Sequence, residues 1–315
     1  MLDFALNLSK VEAEYQAIII GGGPGGLSCA LYLSRALVKT LLIEKKVLGG
    51  NAILASEIEN YPGLDKISGP ELIERMVRQV QRYNLPVLYD TVNKIEIGGD
   101  KIFVKAGANT IGTRALVIAV GTSYRRLGVL GESEFTGRGV SYCPTCDSMF
   151  FKNKVVVLVG GGDSALKESR YLAKIVNKIY LIHRRKEFGA EKIIQEEIKK
   201  IENIKPILEK IVISINGKEK VESVMIKDVN SGAVSELKVD GVFINIGNIP
   251  ATNFVKGLLD LDDQGYIITD CLLKTNIPGI FAVGDVRVSE QRQVATAVGD
   301  GAMAAAVVEK YLGRR

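Results

Sequence analysis

The sequence predicts an α/β fold, and three observations carry the prediction. Two glycine-rich loops, Gly21-x-Gly23-x-x-Gly26 and Gly160-x-Gly162-x-x-Ala165, each follow a short apolar run and open a helical pattern. Each first glycine is followed, 23 residues on, by the end of a second apolar run, at Glu44 and at His183. That is the spacing of a strand–helix–strand nucleotide-binding unit. The chain also has 315 residues, 47% of them hydrophobic, which is long for one hydrophobic core. Together these give two Rossmann-like dinucleotide-binding domains, the second inserted in the first. Residues 1–122 and 249–315 form one domain and 123–248 the other.

Element by element, Met1 to Glu14 reads as a short surface extension, and Tyr15 to Ile20 as a buried parallel strand. Leu27 to Leu37 is a helix and Thr40 to Ile43 the next strand. Glu59 to Gly63 is a turn, and Gly69 to Tyr83 an amphipathic helix with Pro70 near its start. Short alternating strands fill Thr91 to Ala106, and Arg114 to Val120 is an apolar strand ending at Gly121. The second cycle runs from the strand Val155 to Val159, through a helix reaching about Val176, to the strand Lys178 to Ile182. A charged helix (Ala190 to Ile201), strand-like runs (Ile211 to Val239) and a last strand (Val242 to Ile246) complete the insert. After Pro250 come a strand at Gly279 to Ala282 and an alanine-rich helix, Gln293 to Tyr311, whose small residues suit close packing against a sheet.

Composition narrows the chemistry. The single His, His183, leaves no basis for a His-rich metal site. The net charge of +5 has no long basic run interleaved with aromatics, so nucleic acid is not an expected partner. No segment reaches the length of apolar sequence that a transmembrane helix needs, and the N-terminus lacks the basic start and apolar run of a signal peptide. A soluble, cytoplasmic protein is expected.

In the first loop the glycines permit a tight turn, backbone approach to a pyrophosphate and close helix–strand packing, with the anion at a helix N-terminus. Glu44 then stands where a carboxylate accepts a ribose hydroxyl and repels a 2′-phosphate, which suits FAD or NAD. In the second loop that place holds His183-Arg184-Arg185, and guanidinium groups there clamp a 2′-phosphate, which suits NADP(H). The plainer alternatives are a structural glycine turn and a solvated pair of arginines.

Between the loops lies Cys143-Pro144-Thr145-Cys146-Asp147. One close pair among four cysteines reads as a redox pair. A thiolate is the nucleophile of disulfide exchange, and a Cys-x-x-Cys at a helix start lowers one thiol's pKa. Asp147 is a candidate proton donor and acceptor for the pair, or a helix cap. The competing readings are half of a zinc site, for which no second Cys-x-x-Cys exists, and two inert core cysteines. Cys29 reads as a small core residue, and Cys271 has no evident partner.

These segments, with Gly49-Gly50-Asn51, Glu59-Asn60-Tyr61-Pro62-Gly63, Ala119-Val120-Gly121, Pro278 to Asp285 and Arg292-Gln293, occur in one order from about residue 15 to 305. In this the whole chain resembles the low-molecular-weight thioredoxin reductases, the FAD- and NADPH-dependent type. The resemblance implies that FAD is held by Gly21, Gly23, Pro24, Gly25 and Gly26, by Glu44 and Lys45, and by Gly50, Asn51 and Asn60. It adds Ala119, Gly121, Gly284, Asp285, Arg292, Gln293 and Val294 on the same cofactor. NADPH falls to Gly160, Gly162, Asp163, Ser164, Ala165, His183, Arg184 and Arg185, and catalysis to Cys143, Cys146 and Asp147. It further implies a homodimer, an inserted domain that rotates so that nicotinamide and cysteine pair take turns at one flavin, and a partner disulfide on thioredoxin or a thioredoxin/glutaredoxin-like protein. The chain departs from the family pattern at Lys186 and Gly189, where an acid and an arginine are usual, at Asn51 for Gln, and at Pro144 for Ala. The alternatives are a flavin-dependent ferredoxin–NADP reductase or NAD(P)H oxidase, which need no dithiol, and a non-catalytic flavoprotein sensor.

Overall fold

The computed structural model describes residues 12–55 and 58–313. Most of the expected N-terminal extension lies outside the described residues. The chain divides into two compact units. The first gathers the described residues up to Leu54, Ile58–Ser123 and everything from Ile249 on, and the second is built from Tyr124–Asn248.

The first unit opens with β1 (Glu14–Ile20), α1 (Pro24–Arg35), β2 (Thr40–Glu44), α2 (Gly69–Gln81) and β3 (Val87–Tyr89). It continues with β4 (Val92–Gly98), β5 (Lys101–Ala106) and β6 (Asn109–Ile118), and β7 (Thr122–Tyr124) runs over the boundary into the second unit. Strands β3, β2, β1 and β6 lie side by side and parallel, and β5 and β4 extend the sheet antiparallel. Successive β1 residues face opposite sides: Ala17 and Ile19 join one core cluster, Ile18 and Ile20 another. Both faces of the sheet are therefore covered, which is why these strands read as unbroken apolar runs. Burying each such Ile or Leu contributes roughly 1.5–3 kcal/mol. Helix α2 starts where Ser68 accepts a hydrogen bond from the Glu71 amide at 3.3 Å, and the Glu71–Arg75 pair at 2.6 Å braces its first turns.

The second unit contains β8 (Val140–Ser141), α3 (Pro144–Asp147), β9 (Val155–Val159), α4 (Asp163–Leu172) and β10 (Lys178–His183). It goes on through α5 (Lys192–Lys199), β11 (Ile204–Leu208), β12 (Lys210–Gly217), β13 (Val221–Asp228), β14 (Val234–Lys238) and β15 (Gly241–Ile244). Its parallel sheet has the order β11-β10-β9-β15-β8, and β12-β13-β14 form an antiparallel sheet of their own. The chain then returns through β16 (Asn248–Pro250), which pairs with β7, to β17 (Ile280–Ala282) and α6 (Val294–Tyr311) in the first unit. Strand β17 lies parallel to β6.

Several boundaries differ from the sequence expectation. Strand β6 begins at Asn109, five residues before the expected Arg114, because Asn109 pairs with Ala106 across a tight turn from β5. Strands β3 and β11 are short edge strands with no long apolar run to announce them. Helix α4 stops at Leu172, and the chain tightens into turns before Lys178. The small residues of α6 serve a helix more than a sheet: a Cβ on Gly301 would fall 2.2 Å from the Gly25 carbonyl oxygen, so α6 crosses α1 backbone to backbone. Among the described residues no helix is long and apolar enough to cross a membrane.

Candidate functional site

In the first unit the chain leaves β1 through Gly21 at φ +103°, a conformation that favours glycine. The Gly21 amide donates to Ile43 O at 2.8 Å, and a Cβ on Gly26 would fall 1.9 Å from Gly21 O. Helix α1 therefore sits hard against the loop. Gly23 is its N-cap, Pro24 opens it, and no side chain caps its first turn, which suits an anion at this helix end. Glu44 ends β2 beside this loop. Its Oε2 accepts from Gly22 N at 2.8 Å and its Oε1 from Lys46 N at 2.9 Å, which fixes the carboxylate; Lys45 is exposed.

The other predicted residues of this site converge on the same edge, at the carboxyl ends of β1, β2, β6 and β17. Gly50 lies over Gly23, and Asn51 donates to Thr122 O at 2.7 Å, beside Ala119 and Gly121 beyond β6. Asn60 donates to Gln293 Oε1 at 3.1 Å. Gln293 in turn forms a capping box with Thr296 at the start of α6, where Val294 is the first helical residue. Beyond β17, Gly284 N donates to Asp300 Oδ2 at 2.9 Å, and Arg287 grips the same carboxylate at 2.7 and 2.9 Å. Burial pushes the Asp285 carboxyl up; Arg292 pulls it down and Asp300 pushes it further up. The Arg292 guanidinium stacks 4.1 Å over the Tyr266 ring, and its Nε is buried with no hydrogen-bond partner among the described residues. An open helix end, a fixed carboxylate and an orphaned guanidinium nitrogen fit a dinucleotide whose ribose hydroxyls are unmodified.

The second unit repeats the plan with different chemistry. Gly160 N donates to Ile182 O at 3.0 Å, and α4 starts at Asp163 with Gly162 as an N-cap that lends no side chain. Asp163 Oδ1 accepts from Glu191 N at 2.8 Å, and Ser164 is exposed in the first turn. Ala165 takes the place of the third glycine; a Cβ on Gly160 would fall 2.5 Å from its methyl. The His183 ring lies against Gly161 as Glu44 lies against Gly22, and burial holds its pKa below the usual histidine range. Arg184, Arg185 and Lys186 follow, all exposed, and Gly189 N ties the segment to Gly161 O at 2.8 Å. Deeper in, Asn245 donates to Glu168, whose carboxyl burial pushes up to about 7.

The cysteine pair stands in this second unit. Cys143 and Cys146 are joined as a disulfide, with Cys143 the N-cap of α3 and Pro144 its first residue. The Cys146 and Asp147 amides both donate to Cys143 O at 3.1 Å, and Thr145 Oγ1 lies 3.5 Å from Cys143 Sγ. The Asp147 side chain caps neither short helix; its Oδ2 accepts from Ser141 Oγ at 2.6 Å. Tyr142 stacks on Tyr124 at 5.0 Å and donates its hydroxyl to Glu132 at 2.7 Å. Met149 and Phe150 are exposed directly after the pair. Asp147 and Ser141 line a pocket of about 310 Å³ with Arg138, Phe150, Lys154 and Lys220. The remaining cysteines lie in the first unit: Cys29 is fully buried, where burial pushes its thiol well up, and Cys271 is exposed in a turn.

The sequence pattern of the pyridine nucleotide-disulphide oxidoreductases matches residues 15–301. The chain belongs to this family. Within it, the chain is 43% identical over 306 residues to a thioredoxin reductase of Listeria innocua, covering 97% of this chain and 96% of that protein. It is 41% identical over 302 residues to a thioredoxin reductase of Bacillus subtilis, covering 96% of each. A crystal structure of thioredoxin reductase from Streptococcus pyogenes superposes with a TM-score of 0.92 at 42% identity, covering 97% of this chain and 100% of that one. As a pyridine nucleotide-disulphide oxidoreductase, the chain keeps each predicted residue in the unit where its loop lies. The residues that sequence reasoning passed over are supports: Gly22, Gly161, Ser141, Tyr142, Glu132 and Asp300. Only the middle glycines of the two Gly-Gly-Gly runs left a signal in the sequence.

Proposed function

We propose that this chain is a thioredoxin-disulfide reductase that passes electrons from NADPH through FAD to the Cys143–Cys146 pair, and from there to the disulfide of a small redox protein. The observation that carries this reading is the half-buried Cys143–Cys146 disulfide with Asp147 at its end, in the same unit as a nucleotide loop that ends in His183-Arg184-Arg185. FAD belongs at the first unit's loop, held by Gly21 to Gly26, Glu44, Asn51 and the Gly284–Asp285 turn. NADPH belongs at the second, with Arg184 and Arg185 on its 2′-phosphate. The bound cofactors supply the hydride and electron-pair chemistry.

The chain's own part begins at the cysteines. A thiolate of the reduced pair attacks the partner disulfide and one partner sulfur leaves; the second cysteine then attacks the mixed disulfide, forming the Cys143–Cys146 bond as the Cys–partner bond breaks and the second partner sulfur leaves. Asp147 holds and returns a proton as the thiols lose and regain theirs. Exposed Met149 and Phe150, with Arg138, Lys154 and Lys220 around the neighbouring pocket, support a docking face for a thioredoxin with an apolar, acid-rimmed surface. A cytoplasmic homodimer completes the reading, and sedimentation of the purified chain tests the dimer.

Anaerobic titration with NADPH, followed at the flavin band, tests the relay. The wild type is expected to take up two electron pairs, one on flavin and one on the disulfide, and Cys146→Ser one. If both take up one pair, the cysteines are outside the electron path.

A further inference from the structure

Ser141 ends β8 two residues before Cys143 and is buried, with 6% of its surface exposed. Its hydroxyl oxygen meets three groups of the redox loop: Asp147 Oδ2 at 2.6 Å, the Cys143 amide nitrogen at 3.1 Å and the Cys143 carbonyl oxygen at 3.4 Å. A hydroxyl has one proton to give and two lone pairs to receive. The Cys143 amide only donates, so one lone pair is committed to it. With Asp147 ionised, the hydroxyl proton goes to Oδ2. With Asp147 protonated, the acid donates to the remaining lone pair, and the hydroxyl proton turns to the Cys143 carbonyl. One rotation of one O–H thus satisfies both protonation states with no heavy atom displaced.

We infer that Ser141 is the positioning residue for proton transfer at the cysteine pair, holding Asp147 in both of its states and tying it to the Cys143 backbone. The inference rests on the reading of Asp147 as the proton carrier. In the oxidation of the pair, one partner S–S bond breaks and the Cys143–Cys146 bond forms. Two electrons pass to the partner, and the two cysteine protons end on its two thiols. An acid that takes up and gives back one of those protons passes through both charge states in each turnover, and Ser141 is the group that changes its donor direction to match. Without it, Asp147 loses a charge-assisted hydrogen bond when ionised and an acceptor when protonated.

The test compares Ser141→Ala, Ser141→Thr, Asp147→Asn and the Ser141→Ala/Asp147→Asn double variant as holoenzymes, with NADPH and a bacterial thioredoxin. Ser141→Ala is expected to lower kcat about tenfold, the worth of one hydrogen bond to a charged group, with KM for NADPH and for thioredoxin unchanged. Ser141→Thr restores the hydroxyl and most of the rate. In the Asp147→Asn background, Ser141→Ala has no further effect, because the serine acts through the acid. Full activity of Ser141→Ala, no rescue by threonine, or additive losses in the double variant each overturn the inference. Full activity of Asp147→Asn overturns instead the reading on which it rests.

Discussion

Glu44 accepts a 2.8 Å hydrogen bond from the Gly22 amide, and the side chain at the matching place of the second unit, His183, lies against Gly161. The residue that ends the second strand thus lies against the glycine loop in both repeats, a carboxylate accepting a loop amide in the first and an imidazole ring packed on the loop in the second. In the proposed flavin site, a carboxylate already held toward the loop would meet the ribose without reorganising. Glu44→Gln keeps the size of the side chain but loses the charge and sets an NH₂ against a donor. The expected result is flavin binding weakened about tenfold or more, read as flavin absorbance per protein after gel filtration. Undiminished flavin content would remove Glu44 from the site.

The two loops also differ in how much room they leave. A Cβ on Gly26 meets the Gly21 carbonyl at 1.9 Å, backbone that cannot move without shifting β1. Gly26→Ala is expected to destabilise the chain by about 1–3 kcal/mol and to strip it of flavin. Ala165→Gly, at the equivalent place, is expected to weaken stability by only about 1 kcal/mol and to leave flavin bound. Thermal melts of the two variants check the contrast, and equal losses would contradict it.

Arg184 and Arg185 stand exposed at the end of β10, with Lys186 beside them and Gly189 three residues further on. In the proposed NADPH site these two guanidinium groups clamp the 2′-phosphate. Arg184→Ala and Arg185→Ala are each expected to raise KM for NADPH about tenfold or more, with KM for NADH unchanged. Steady-state kinetics with the two nucleotides decide the point. A parallel rise for both nucleotides would mean that the arginines do not read the phosphate.

What the sequence made legible was whatever sits in consecutive residues. Gly21 to Gly26, Glu44, Cys143 to Asp147 and His183 to Arg185 are short runs with fixed chemistry, and the structure keeps each at the end of a strand. Contacts between distant residues left no such trace. Asp300 is unremarkable in an alanine-rich helix, yet it holds Gly284 N and Arg287. Glu132 is ten residues from Tyr142 and reaches it only through a folded loop, where the same carboxylate also takes the Leu127 and Gly128 amides. The Asp147 expectation was half legible: the acid was visible, whereas the serine that takes up its oxygen lies in a two-residue strand too short for any periodicity to reveal.

Glu168 joins charge and stability in a way that pH exposes. Burial beside Asn245 raises its carboxyl from the ordinary 4.5 to about 7, against the pull of the Asn245 hydrogen bond. Between those values the folded chain holds a proton that the unfolded chain has released. Stability from this group is therefore fully present below about pH 4.5 and is lost as pH rises through 7. The size is on the order of 3 kcal/mol at most, since each tenfold change in proton affinity is worth about 1.4 kcal/mol. Glu168→Gln keeps the hydrogen-bonding shape and removes the titration. The difference in melting temperature between wild type and Glu168→Gln is expected to favour the variant more at about pH 8 than at about pH 5. A difference independent of pH would show that the carboxyl titrates alike in the folded and unfolded chain.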